Sequence, residues 1–452
     1  MHQIRQHIID MNCSSESFGN EVNANLSSVL EKEFYPKLEM ILNRYSEENQ
    51  IWLIDNLEIE ISEISEKYWK EEIVNKSLEH IENFLRLNKL ENSRSENSDK
   101  KSNSGKLSIG NYAENLLMEF LKSGRIVENS KFTDINSVIV EIKISEIFYY
   151  KILEIFKDQN QTILRWIYSV PIDFRNELYQ FMNVQNKYSD IENVLKINNY
   201  EEKRRFSELM MLISLNEIII SENVFEFLNQ SAKKYWNLEK TEILEFLNSK
   251  QVLTEKELNF IEKWKNNLES ESKNFEIKEN KTQKEEFIYV ENSGLTILHP
   301  FFTSLFEQLN LTDKNEWKCE TESHKAVLLM HFLVYGDEIF EEDKMVLNKN
   351  LCGLPSDEVI NVNIPLNDEE KEACKDLLKA VIQHWSVMNK SSIQALRETF
   401  LQRNGKLEFK NENLELWIEV KGVDILLDQI PWGISTIKTP WMEHILFCHW
   451  NH

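Results

Sequence analysis

In VLNKNLCGLP, residues 346–355, the apolar side chains Leu347, Leu351 and Leu354 recur at spacings of four and three. That spacing predicts a short buried helix with Asn348, Lys349 and Asn350 off its apolar stripe. Gly353 can take the left-handed conformation that closes a helix, and Pro355, lacking an N–H, prevents its resumption. Nearer the start, residues 2–15 alternate imperfectly and predict a strand. Residues 21–45 predict a helix through Val22, Leu26, Val29, Leu30, Phe34, Leu38, Ile41 and Leu42, kinked or split at Pro36. Period two returns over 51–64, through Leu57, Ile59 and Ile61 against Glu58 and Glu60, and a helix follows over 68–87. Strand, helix, strand, helix is a small α+β unit over 1–90 that needs further strands, expected from a neighbouring subunit, to cover its sheet.

Residues 91–106 carry no apolar side chain and read as a linker. Helical period then dominates a middle region, 107–268, including 138–156, 162–168, 201–220 and 255–268, with no fixed repeat. A charged run, 269–286, is expected to link this region to a C-terminal helical domain, 287–452. There Phe287–Val290 predicts a strand, Pro300 opens a helix, and Gly336 stops the apolar helix 323–335. Asn367 with Glu370 predicts a capping box, and Ser391 caps the helix after it. Leu407 and Phe409, then Leu414, Leu416 and Ile418, alternate about 411–413 as in a β-hairpin, with Trp417 on the opposite face. The expected fold is mainly α, with a small N-terminal α+β unit and a β-hairpin in the C-terminal helical domain.

Composition narrows what such a fold can do. The 452-residue chain has only 10 Gly and 7 Pro, few for a many-stranded sheet. With 52 Lys and Arg against 76 Asp and Glu, its net charge of −24 repels phosphate backbones and anionic lipid, so neither nucleic acid nor membrane is an expected partner. The longest apolar run, 326–335, is too short to span a bilayer, and the N-terminus lacks a signal-peptide core; synthesis in the cytoplasm is expected. Five widely spaced cysteines suit reduced core thiols.

Catalytic and cofactor patterns are sparse. Ser104-Gly105-Lys106 lacks the earlier glycine of a phosphate loop. His444, Cys448, His449 and His452 form the one metal-like group: His444 and Cys448 would be one turn apart on a helix and could share Zn²⁺, the alternative being a frayed tail. A small zinc-dependent enzyme is thus a rival reading. The expectation is no enzyme, no cofactor and no metal. Glu341 and Glu342 read as a solvated loop, and Glu369 and Glu370 as a helix N-terminus. His331 and His384 read as core histidines; Arg397 and Arg403 read equally as cations held inside by Glu398 or Asp424 and as contacts to a partner. Pro431-Trp432 and Pro440-Trp441 pair a fixed backbone with a large indole, suiting either a lid over the core or an anchor for another protein.

Several blocks, in chain order, carry a resemblance: LIDNLEIEISEI (53–64), FLKSGRI (120–126), YVENSGLTILHPFF (289–302), VLNKNLCGLP (346–355), ALRETFLQRNGKL (395–407), IPWGIS (430–435) and IKTPWM (437–442). Together they resemble the tape-measure proteins of contractile injection systems, the phage-tail-like machines of bacteria, closely over 287–442 and fairly over 1–64. FLKSGRI normally continues there into Pro-Trp-Trp, where this chain has Val127 and Glu128; Asn350 and Thr439 stand where leucine is more usual. Leu347, Asn348, Lys349, Leu351, Cys352 and Gly353 are the family-motif residues. The resemblance implies a non-catalytic assembly protein acting with inner tube, baseplate or spike proteins in tube assembly or length control, and carried into a released particle. Self-association of the chain is compatible with it, and an assembly chaperone or cargo adaptor of the same particle is the alternative role.

Overall fold

The computed structural model describes residues 2, 4, 7–47, 50–54, 56–92, 104–126, 131–184, 197, 199–215, 222–239, 241–243, 245, 262, 287–410 and 412–450. The chain is mainly α and divides into two compact units. The first holds Met1–Leu116, Asn129–Thr133 and Ser137–Lys143; the second holds Leu117–Glu128, Asp134–Asn136 and Ile144–His452.

In the first unit the described part of 2–15 forms no strand; Ser15 caps a helix over Glu16–Val29, accepting from the Phe18 N–H. Pro36 acts as its chemistry requires. With no N–H to bond the preceding turn, it lies in the first turn of the helix Tyr35–Tyr45, and Leu30–Phe34 loosens into a π-turn before it. The first strand is shorter than its alternation suggests: β1 is Gln50–Ile54. Residues 57, 59 and 61 still alternate half-buried against exposed neighbours, with Leu57 and Ile59 packed on the core, so the period reports burial without a ladder. The pairing strand comes from this chain: β2, Ser104–Ser108, lies antiparallel with Gln50 opposite Ser108, where linker composition hides it. The core joins Val22, Val29, Phe34, Leu38 and Ile41 to Trp69, Val74, Leu78 and Leu85 of the helix Trp69–Asn92.

The second unit begins within the helix Ile109–Ser123 and continues through short helices, Glu146–Asp158, Gln161–Ser169, Ile172–Phe181, Tyr200–Leu215 and Glu222–Trp236. The expected helix over 138–156 is interrupted between Ile135–Val140 and Glu146–Asp158, where Ser145 caps the later piece. Trp166 and Phe206 are fully buried, Trp166 meeting Phe156 at 5.9 Å and Phe174 at 6.2 Å. The predicted helix 255–268 and the run 269–286 fall almost wholly outside the described residues.

From 287 onward the order is β3 (Ile288–Val290), a helix over His299–Gln308, β4 (Thr312–Asp313), β5 (Glu316–Trp317), then the buried helix Glu320–Tyr335, closed by Gly336 at φ +81°. Helices over Val346–Leu351 and Asp368–His384 follow; the second starts at the capping box of Asn367 and Glu370. Ser392, not Ser391, caps Ile393–Leu396. The hairpin is present as β6 (Gly405–Lys410) and β7 (Asn413–Ile418). It lies within a larger sheet, β3-β6-β7-β9-β8, completed by β8 (Thr436–Ile437) and β9 (Leu446–His449). β9 runs parallel to β7, so the one-turn spacing assumed for His444 and Cys448 does not exist. The sheet lays Leu407, Leu416 and Leu446 on a core built from Phe302, Phe306, Leu328, Leu347 and Leu378.

Candidate functional site

The helix Val346–Leu351 ends against two distant segments. Its last carbonyls lack partners within the helix, and side chains supply them: Thr439 Oγ1 donates to Leu351 O at 2.9 Å and Trp317 Nε1 donates to Cys352 O at 3.0 Å. Gly353 is left-handed at φ +74°, and a methyl group there would lie 2.0 Å from the Trp441 carbonyl oxygen. Trp441 stacks on Trp317 with ring centroids 4.5 Å apart and meets Phe306 at 5.4 Å. Trp432 donates its indole N–H to Ile297 O at 3.0 Å and stands edge-on to Phe301. Both indoles are half-buried on the core, and Pro431 and Pro440 are exposed beside them. Replacing Thr439 with valine, which keeps the shape and removes the donor, is expected to lower unfolding free energy by about 1 kcal/mol, read as a shift in urea midpoint at unchanged slope.

Asn348 and Lys349 are as buried as Leu347 and Leu351 on either side of them. Asn348 accepts from Asn292 Nδ2 at 2.7 Å and donates to Val327 O at 3.1 Å, joining the NSG and LNK elements. Lys349 Nζ lies 3.2 Å from Glu342 Oε1 and donates to Ser356 O. Glu342 is no solvated loop acid: it is 2% exposed and also receives Arg165 Nε at 3.0 Å and Ser169 Oγ at 2.8 Å. Arg165 completes its set by donating to Leu121 O and Asp357 O. Gly124, at φ +71°, closes the helix Ile109–Ser123 against this group; a methyl there would lie 2.7 Å from Glu342 Oε1. Burial alone would raise the Glu342 carboxyl, but Lys349 and Arg165 outweigh it and hold it below the ordinary range; burial pushes Lys349 down. Two cations and one anion therefore share an interior site, stabilised by one another and by carbonyl oxygens.

These contacts of Arg165 and Ser169 with Glu342 and Asp357 O begin a polar seam between the preceding helices and the C-terminal region, and it continues along the helix Glu222–Trp236. Tyr235 donates to Val359 O at 2.7 Å and to Glu358 at 3.2 Å, and Lys234 pairs with Glu358 at 2.8 Å. Burial, with Lys234 and Lys349 nearby, pushes His324 down to about 3, so it stands neutral, its Nδ1 accepting the Asn361 N–H.

Arg403 pairs with Asp424 at 2.6 Å, whereas Arg397 donates to the carbonyls of Leu333 and Phe332 rather than to Glu398. Glu370 completes its capping box and pairs with Lys325. His331 is buried near Asp337; His384 is exposed. Cys448 points into the core, His449 lies on the other face of β9 against Glu415 at 2.6 Å, and His444 bonds Glu412 O, so these three do not converge. His452 lies outside the described residues. Burial pushes the Cys374 and Cys448 thiols up to about 12 and the Cys352 thiol further, leaving all three protonated and weakly nucleophilic at neutral pH.

Asp343, beside Glu342, is pushed up to about 7 by burial first and then by Glu341. Its folded pKa exceeds its unfolded value, so the fold binds the extra proton, and stability falls as pH rises from about 4 to about 7. Asp343→Asn is expected to raise the melting temperature at pH 8 and change it little at pH 4, as thermal scans at both would read.

Sequence reasoning does not find the roles of Arg165, Ser169, Glu342 or Thr439. The one available signal is a lone arginine inside the apolar run TILRWIY, 162–168. Among the described residues no helix is long and apolar enough to cross a membrane, and no group of three or more His, Cys, Asp or Glu is placed to hold a metal ion.

No curated protein and no solved structure matches the chain. A family model described as contractile injection system tape measure protein matches residues 1–450. That span takes in every block of the resemblance, from the N-terminal strand to the segment that seals Gly353, and the chain belongs to the contractile injection system tape measure protein family.

Proposed function

We propose that this chain is a non-catalytic assembly protein that nucleates inner tube or baseplate growth in a contractile injection particle, rather than a ruler stretched along the tube. One observation carries the choice. A ruler needs length, and residues 107–268 as one helix would reach about 240 Å at about 1.5 Å per residue. Instead, the longest described helix between residues 135 and 245 is Tyr200–Leu215, 16 residues, about 24 Å. These helices fold on one another around Trp166 and Phe206. Compact modules of this kind work by presenting surfaces.

The terminal modules, where the sequence blocks are densest, are the parts assigned to inner tube, baseplate or spike proteins. The indoles of Trp432 and Trp441 serve as a lid on the C-terminal core, a role supported by the Trp432 hydrogen bond and the Trp441 stack. Deleting the gene and counting particles by electron microscopy tests the assignment. Loss of most particles, restored by the full chain in trans, is expected. Unchanged yield with missing cargo would instead make the chain an adaptor.

A further inference from the structure

Among the described residues, the buried members of the apolar core of the C-terminal region run from Val290 to Trp450. The helices that precede it, between Gln161 and Trp236, reach that region through the polar seam described above: Arg165 and Ser169 on Glu342, Arg165 on Asp357 O, Tyr235 on Glu358 and Val359 O, and Lys234 on Glu358. Asn361 Nδ2 also reaches Glu202 at 3.5 Å. Separation along such a seam would hydrate mostly charges and carbonyls, which water solvates well, and would uncover few apolar groups, the buried Val359 and the Tyr235–His324 ring contact at 5.6 Å among them, while the apolar core stays covered. Buried ion pairs are a poor means of adding stability, since desolvation offsets most of their attraction, but removing one partner is strongly destabilising because it leaves the other charge buried and uncompensated.

We propose that this seam is a releasable joint. The described helices between Gln161 and Trp236 undock from the 287–450 region without either losing its fold, and the Arg165–Glu342–Lys349 group is the latch. This goes beyond the assembly role proposed above and does not depend on it, because the joint is a property of the isolated chain.

The protein carries its own reporters. Lys349 Nζ sits in the latch and is fully buried, so an acylating reagent reaches it only when the joint opens. Cys352, three residues on, and Cys374 in the helix Asp368–His384 are buried in the apolar core and react with an alkylating reagent only when that core opens. The full chain and its Tyr235→Phe and Ser169→Ala variants, each losing one donor across the seam, are pulsed with both reagents and read by peptide mass spectrometry. Expected are acylation of Lys349 in the parent well ahead of alkylation of either thiol, and a several-fold faster Lys349 reaction in each variant with thiol rates unchanged. Lys349 and the two thiols reacting together would show one cooperative unit and overturn the joint. So would a Lys349 rate indifferent to both variants. Particle counts play no part in this readout, so its failure leaves the assembly role standing, and the reverse.

Discussion

Glu342→Ala is expected to destabilise the chain by about 3–5 kcal/mol, the cost of leaving two buried cations without their shared anion. Arg165 and Lys349 are each 0% exposed and cannot turn to water without opening the structure. The same reasoning gives an effect of opposite sign for removing all three charges at once. Arg165→Met, Glu342→Leu and Lys349→Met combined should recover most of the loss, because apolar side chains of similar volume avoid the desolvation penalty. Urea unfolding followed by far-UV circular dichroism reads both. Failure of the triple variant to recover would mean that the carbonyls of Leu121, Asp357 and Ser356, left without donors, govern the site more than the charges do.

Gly353→Ala is the second large effect, expected at about 2–4 kcal/mol. Part is backbone: a left-handed residue other than glycine costs about 1 kcal/mol. The rest is displacement of the Trp441 backbone, because a methyl 2.0 Å from its carbonyl oxygen cannot be accommodated in place. Moving Trp441 disturbs its stack on Trp317, and with it the indole donor on Cys352 O, so near-UV circular dichroism should change together with stability. Gly433→Ala is the matched control. Nothing lies within 4 Å of a methyl there, and a change within about 0.5 kcal/mol is expected.

These two sites show what the sequence can and cannot disclose. Gly353 and the leucine spacing before it are readable because helix closure is local chemistry: a glycine, then a proline, after a four-and-three stripe. Asn367 with Glu370 and the hairpin are readable for the same reason. Pairing between distant segments is not. Glu342 in EEDK looks like any acidic turn, and only the fold brings Arg165, 177 positions away, onto it. The helical stripe places Lys349 off the apolar face, ordinarily toward solvent, but that rule fails where a polar face meets a second polar surface inside the protein. β9 misleads for a related reason. A parallel strand four residues long inside the sheet is too short to show a period, so the His and Cys residues in and before it suggest a ligand set that extended backbone splays apart. The Thr439 hydroxyl donates to Leu351 O, a role no spacing rule would assign.

The central claim is that this family member acts through compact modules and does not measure length. Its most direct test is the tube-length distribution, by electron microscopy, of particles assembled with a chain in which residues 107–268 are duplicated. Tubes of parental length are the expected result. Tubes lengthened in proportion to the inserted residues would contradict it.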